Sequence, residues 1–209
     1  NVNINYQMVK DNPDYNWCYK SLSKNINIKF TDVINSLDKD WCWHLLSCHK
    51  NIHFNDIFVN LNLPWVWDKI CINPNLKFSD ITSKPDLPWN KIILSKHSNL
   101  SFKEIIYLFN LEDYDNIKDE KNIFSKKYID NISIDAWDNI SLNNNISWNH
   151  VKNISGLWNY KNISLNNMHQ SKLRYINTRL REYSQIIFKY QNRNLPDDIL
   201  NNILSYFYF

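Results

Sequence analysis

Four tryptophans, Trp17, Trp41, Trp65 and Trp89, stand 24 residues apart without drift. Five residues after each comes Leu22, Leu46, Ile70 or Leu94; ten after comes Asn27, Asn51, Asn75 or Asn99; thirteen after comes Phe30, Phe54, Phe78 or Phe102. A fixed period between roughly 20 and 50 residues marks a chain built by stacking one small unit. A unit of this length cannot bury two apolar faces alone, so neighbours must share a core. The expected fold is therefore all-α: an α-solenoid of 24-residue two-helix repeats with a C-terminal helical tail.

Within each unit the first helix is expected to open at Asp14, Asp38, Asn62 or Asp86, because Asp and Asn side chains accept from the orphan amides of a helix start. Pro64 and Pro88 then fall in its first turn, where a missing N–H costs little. The second helix follows from Phe30, Val33, Ile34 and Leu37, spaced i, i+3, i+4, i+7 on one face. Phe54, Ile57, Phe58 and Leu61 repeat that spacing. Asp32, Asp56, Asp80 and Glu104 sit two residues after each Phe, where a carboxylate complements the helix dipole. This row of acids reads as helix-end chemistry, and no catalytic residue is expected.

Asn3, Ile4, Tyr6 and Val9 match Asn27, Ile28, Phe30 and Val33 one period later, so the chain opens with the second helix of a unit. Either that half-unit is a cap or further repeats precede it. Residues 1–167 form the repeat region, regular to about 109 and degenerate beyond it. Asp113 stands where a tryptophan is due; Trp137 returns in phase; Asn145-Ile146-Ser147-Trp148 copies the earlier Asn-Leu-Ser-Phe two residues short.

Composition enters by exclusion. Gly156 is the only glycine, so the glycine-rich loops that cradle phosphates and the nucleophile elbow are absent. A net charge of +3 is too small to drive nucleic-acid or membrane binding by charge alone. No apolar run reaches the roughly 18–20 residues that span a bilayer. The cysteines at 18, 42, 48 and 71 read as small buried hydrophobes, not a disulfide framework. Cys42, His44, Cys48, His49 and His53 crowd together, but their spacing fits no zinc knuckle, and His49 and His53 replace outward or turn residues of other units. No metal or cofactor is expected, and the location expected is intracellular, in a host cytoplasm or a virion.

Periodicity makes the four tryptophans core, not base-stacking platforms. The second aromatic, Tyr19, Trp43 or Trp67, lies on the flank and gives way to Lys91. It is the expected partner-facing anchor of the repeats.

After about residue 168 the chemistry changes. All four arginines, Arg174, Arg179, Arg181 and Arg193, lie there. Leu173, Ile176, Leu180, Tyr183, Ile187 and Tyr190 trace one face of a long amphipathic helix. Arg174, Arg179 and Arg181 are the candidates for gripping an anionic partner, the alternative being a solvated face. The end of the chain reads Leu195-Pro196-Asp197-Asp198-Ile199-Leu200-Asn201-Asn202-Ile203-Leu204-Ser205-Tyr206-Phe207.

This last segment resembles the opening of an F-box, the pattern that docks on the Skp1 subunit of cullin ubiquitin ligases. Its terminal position is similar to the truncated F-box (PRANC) tails of poxviral ankyrin proteins. The resemblance implies that Leu195, Pro196, Ile199, Leu200, Ile203, Leu204 and Phe207 bind a Skp1-like adaptor; a helix capping the repeats would need the same apolar stripe. The repeat, Trp-x-Trp-x-x-Leu-Ser-x-Asn-x-Asn-Ile-x-Phe, resembles the tryptophan-rich short repeats of giant DNA viruses. That family implies an interaction scaffold and no catalytic residues. The expected function is a viral protein–protein interaction scaffold, a substrate adaptor for a Skp1/cullin ligase with an unknown target. The alternatives are a structural or virion-associated repeat protein and a helical repeat that binds RNA through its arginines. Protein partners are expected before nucleic acid, and membranes not at all.

Overall fold

The computed structural model describes residues 3–113, 123–166 and 168. Among them the chain is all-α, with thirteen short helices and no strand. In the regular region these are α1 (Tyr6–Asp11), α2 (Tyr19–Leu22), α3 (Phe30–Ile34), α4 (Trp43–Leu46), α5 (Phe54–Phe58), α6 (Trp67–Ile70), α7 (Phe78–Ser83), α8 (Lys91–Leu94) and α9 (Phe102–Phe109). Beyond it lie a 3-10 turn (Leu111–Asp113), α10 (Lys126–Ile129), α11 (Ile134–Leu142), α12 (Trp148–Asn153) and α13 (Tyr160–Leu165). The longest has nine residues. Isolated helices shorter than about 12–15 residues are marginal in water, so each of these persists by packing.

The first helix of each unit begins two residues after its tryptophan, not three before it. The caps are Cys18, Cys42, Val66 and Asn90. Asp14, Asp38, Asn62 and Asp86 therefore lie in the connector between units. The reason is the tryptophan itself. Its amide closes a three-residue turn onto Tyr15, Lys39, Leu63 or Leu87, at 2.6–2.8 Å. Proline's fixed φ suits the centre of such a turn, which explains Pro64 and Pro88. Each indole N–H then reaches back five residues: Trp17 to the Asn12 carbonyl, Trp41 to Ser36, Trp65 to Asn60, Trp89 to Lys84, at 2.7–3.0 Å. The tryptophan thus satisfies a carbonyl left over at the end of the preceding second helix.

The second helices start where the Phe spacing predicts. Asp32, Asp56, Asp80 and Glu104 accept from the amides of Lys29, His53, Lys77 and Ser101 at 2.7–2.9 Å, which is the reciprocal half of a capping box. Val33, Ile57, Ile81 and Ile105 are buried. Leu37 and Leu61 are not: α3 and α5 stop first, leaving these residues 45% and 44% exposed.

Leu22, Leu46, Ile70 and Leu94 close the first helices, at most 6% exposed; full burial of such a side chain contributes roughly 1.5–3 kcal/mol. One buried cluster runs from Tyr6 to Ile70, another from Cys71 to Ile163, and Trp89 packs on both. Trp41 and Trp65 are core at 6% and 8% exposed, whereas Trp17 and Trp89 are half-buried. Cys71 is buried but Cys18 is exposed, so the small-hydrophobe reading holds for one and fails for the other.

Two series of side chains join each unit to the one before. Asn51 Nδ2 donates to Ile28 O, Asn75 to Ile52 O, and Asn99 to Leu76 O, at 3.0–3.1 Å. Two residues earlier, Asn73 Nδ2 donates to Ser47 O and Ile52 O while its Oδ1 accepts from the Asn75 amide. His49 and His97 occupy the same position. Their Nε2 meets the carbonyl of Asn25 or Asn73 at 3.1 and 2.9 Å, and their Nδ1 accepts from Asn51 or Asn99. His49 is thus an inward residue, 7% exposed, and not the outward one its sequence position suggests.

These bonds redefine the blurred region. Asn143 donates to Ser95 O and His97 O, and Asn145 to Leu100 O, 45–48 residues back. The unit around Ile140 therefore sits directly on the Trp89 unit, and the intervening residues leave the series. Asn110 pins the excursion, donating to Tyr128 O while its Oδ1 accepts from Asn131. In this register Trp137 takes the place of Trp67, not of Trp89. It meets Trp158 edge-on at 4.8 Å, as Trp67 meets Trp89 at 5.4 Å.

Candidate interaction surface

Polar side chains in the interior are occupied with holding units together. Ser23 and Ser47 are fully buried. Each Oγ donates one turn back, to Tyr19 O or Trp43 O, and accepts the amide that caps the next first helix, Cys42 or Val66, at 2.9 Å. Cys71 stands in this series, its Sγ accepting from Asn90 at 3.4 Å; burial pushes its thiol pKa up to about 11. Ser141 repeats the arrangement with Asn159. Burial also lowers the pKa of His49, against the pull of its bond to Asn25 O, and Lys50 lowers it further.

Tyr19, Trp43 and Trp67 open α2, α4 and α6 and are half-buried. Each presents its ring to the next unit's tryptophan, Tyr19 to Trp41, Trp43 to Trp65, Trp67 to Trp89, at 5.0–5.4 Å and 85–90°. Edge-to-face pairs of this kind contribute about 0.5–1.5 kcal/mol beyond burial. The candidate anchors are thus engaged first with their neighbours, and only the remainder of each ring faces outward.

Solvent reaches the connectors and also the outer residues of the turn between first and second helix. Lys24, Lys29, Lys50, Lys77 and Lys96 are exposed there. No acid occurs in the turns 24–29, 48–53, 72–77 and 96–101. The ion pair recorded among the described residues is Lys39–Asp38, in a connector. Ile26 and Ile72 stand among these lysines, 44% and 47% exposed. Ile72, Pro74, Ile93, Lys96 and Asn139 line a cleft of about 440 Å³ beside them. The lysines stand at three different places in the repeat, 24 and 96 at one, 29 and 77 at another and 50 at a third; what the Asn and His bonds set side by side is the turns that carry them.

The Cys42 to His53 cluster does not converge. His44 and His53 are exposed, the His49 ring is taken up by backbone groups, and Cys48 Sγ lies nearest the Leu45 carbonyl. No three His, Cys, Asp or Glu among the described residues are placed to hold a metal. The F-box-like residues Leu195, Pro196, Ile199, Leu200, Ile203, Leu204 and Phe207 lie outside the described residues, as do Arg174, Arg179 and Arg181. No described helix is long and apolar enough to cross a membrane.

No family model matches the chain, and neither the curated proteins nor the solved structures give a significant match.

Proposed function

We propose that the chain is a short α-solenoid acting as a protein–protein interaction scaffold, with the lysine-bearing turns as its docking edge. The observation that carries this reading is the division of labour between side chains. Asn, His, Ser and Cys71 inside each unit bond to backbone of the adjacent unit, which makes a firm frame. The exposed lysines beside them have no acid in their own turns. Such an edge suits an acidic segment of a partner, with Ile26, Ile72 and the cleft at Ile93 taking apolar side chains.

The tail extends the proposal. Leu195 to Phe207 would bind a Skp1-like adaptor while the repeats hold a target, and on the resemblance to viral tryptophan-rich repeats that traffic would belong to an infected cell. Size-exclusion chromatography with purified Skp1 tests it: coelution is expected and should vanish with Ile199→Glu plus Ile203→Glu. Coelution that survives both changes removes the adaptor role. For the docking edge, Lys24→Glu, Lys50→Glu and Lys77→Glu together should empty a nuclease-treated pull-down from host extract of its captured proteins. An unchanged set of captured proteins removes the lysine edge as the docking face, and capture that nuclease abolishes transfers that edge to RNA.

A further inference from the structure

Four junctions between units carry an edge-on ring pair, Tyr19 on Trp41, Trp43 on Trp65, Trp67 on Trp89 and Trp137 on Trp158, at 4.8–5.4 Å. The junction between the Trp89 unit and the Ile140 unit is built differently. Lys91 opens α8 where the neighbouring first helices have an aromatic. The Ser95 hydroxyl lies against the Ile92 and Ala136 carbonyls, at 2.7 and 3.4 Å, instead of taking an amide. α11 follows as a nine-residue helix, and its Asn139 Nδ2 donates to Ile92 O at 2.9 Å. The cleft of about 440 Å³ opens beside this junction.

The cleft draws on three units: Ile72 and Pro74 from one turn, Ile93, Lys96 and Ser98 from the next unit, and Asn139 from the unit beyond the bypass. Ile72, Pro74 and Ser98 are exposed and Ile93 is half-buried. This combination occurs once along the edge. At the place of Ile93 the earlier units have Ser21, Leu45 and Lys69, and at the place of Ser98 they have Ile26, Lys50 and Pro74. Lys96 stands on the rim. Lys50 precedes Pro74 by one period, and Asn75 Nδ2 donates to its carbonyl, which sets Lys50 against the Pro74 turn. The carboxylates nearest in sequence, Asp68 and Asp138, accept from Asn90 and Asn159, and no acid is among the described lining residues.

We infer that this cleft is where the edge reads its partner. It takes one large apolar side chain, aliphatic or aromatic, from an acidic segment, and Lys50 and Lys96 hold carboxylates on either side of that residue. The inference rests on the lysine-edge reading above and adds to it the motif that is recognised. Lysines draw in an acidic chain along the whole edge, but exposed ion pairs are weak and screened by salt, so charge alone selects poorly. An apolar side chain entering a cavity in the size range of binding clefts, about 300–1,000 Å³, leaves water and is judged by shape. A repeated edge also offers similar contacts at several registers. A cleft present once fixes a single register, so the break in the repeat supplies the specificity that the repeat cannot.

The experiment uses the full 209-residue chain and two fluorescein-labelled peptides, Glu-Asp-Asp-Phe-Asp-Asp-Glu and the same peptide with Ala for Phe. In fluorescence anisotropy the Phe peptide should bind on the order of tenfold more tightly, as for a central anchor residue. Ser98→Phe, which fills the cleft from its rim, and Ile72→Asp should each erase most of that preference. The ratio of the two affinities is read, so that an added charge cancels. Both residues are exposed, and circular dichroism should match the parent. Lys50→Glu with Lys96→Glu should weaken both peptides, less so at high salt. Equal affinity for the two peptides, both still weakened by the lysine changes, overturns the inference and leaves the lysine edge standing. A Phe preference that survives Ser98→Phe and Ile72→Asp also overturns it, as does Phe-peptide binding that ignores the lysine changes. Binding of neither peptide overturns the cleft and the lysine edge together.

Discussion

Asn73 is the sharpest place to test what holds one unit on the next. It is 2% exposed, its Nδ2 donates to Ser47 O at 3.1 Å and Ile52 O at 3.2 Å, and its Oδ1 accepts from Asn75 at 2.9 Å. Asn73→Ala removes these three bonds and a longer one to His49 O at 3.4 Å, all to backbone groups. A hydrogen bond contributes about 1 kcal/mol net, and a buried group left without a partner costs about 1–3 kcal/mol. The expected loss is therefore about 3–4 kcal/mol. Asn73→His should cost far less, about 1 kcal/mol, because His49 and His97 hold the same position one unit away on each side with one ring nitrogen facing a carbonyl and the other accepting. Urea unfolding read by tryptophan fluorescence and by circular dichroism measures both. With an m-value near 2 kcal/mol/M, the alanine midpoint should fall by about 1.5–2 M and the histidine midpoint by about 0.5 M. Histidine as damaging as alanine would refute the claim that the position is defined by bonding pattern. An alanine loss below about 1 kcal/mol would refute the claim that these bonds hold the units together.

Stability should fall on mild acidification. Burial lowers the pKa of His49 in the folded chain, so the unfolded chain binds the proton more readily. The stabilisation is complete above the unfolded value of about 6.5 and is lost as pH drops below it toward the folded value. Melting temperature between pH 8 and pH 5 reads this, and His49→Asn should flatten the profile; an equally steep profile in the variant would remove His49 as the cause. Gly156→Ala should cost about 1–3 kcal/mol by overpacking, since a Cβ there would lie 2.6 Å from Trp137 Cζ2. Thermal melts of Gly156→Ala with and without Trp137→Leu check the partner, because a smaller residue at 137 should recover part of the loss. In thiol labelling at pH 8, Cys18 should react early, being exposed and held below its ordinary pKa by the Ser21 hydroxyl. Cys71, at about 11, should react only on unfolding; equal rates would contradict the burial argument.

The period and the second helices were legible in the sequence because both are written in apolar spacing and in the acid two residues after each Phe. The starts of the first helices are not legible, because Asp14, Asp38 and Asp86 are good caps in isolation. The competing signal, an indole that must reach a carbonyl five residues back, is a tertiary bond with no local signature. The inward place of His49 is hidden for a related reason. A histidine replacing asparagine looks like a tolerant turn, whereas the substitution keeps one donor and one acceptor at nearly the same places. The proposed docking edge is legible only in part. Lysines at 24, 50, 77 and 96 are visible in the chain, but their common edge follows from bonds between Asn side chains and carbonyls some 23 residues back.

The bypass of residues between α9 and α11 shows what the repeat protects. The backbone bonds at Asn143 and Asn145 keep their pattern although the spacing from His97 and Asn99 is 46 residues instead of 24. Register is therefore set by carbonyls meeting side chains at the turns and not by residue count. The extra residues enter through the connector, which carries none of the Asn or His bonds between turns, and lengthening a loop costs little: each doubling adds only about 0.6 kcal/mol. An insertion of the same size in a turn would separate the two asparagine positions from the carbonyls of the unit below and break three or more buried bonds. Connectors can thus vary in length while turns cannot. This asymmetry makes the turn edge the fixed platform on which a partner can be held, and it makes the connector edge the place where one protein of this architecture is free to differ from another.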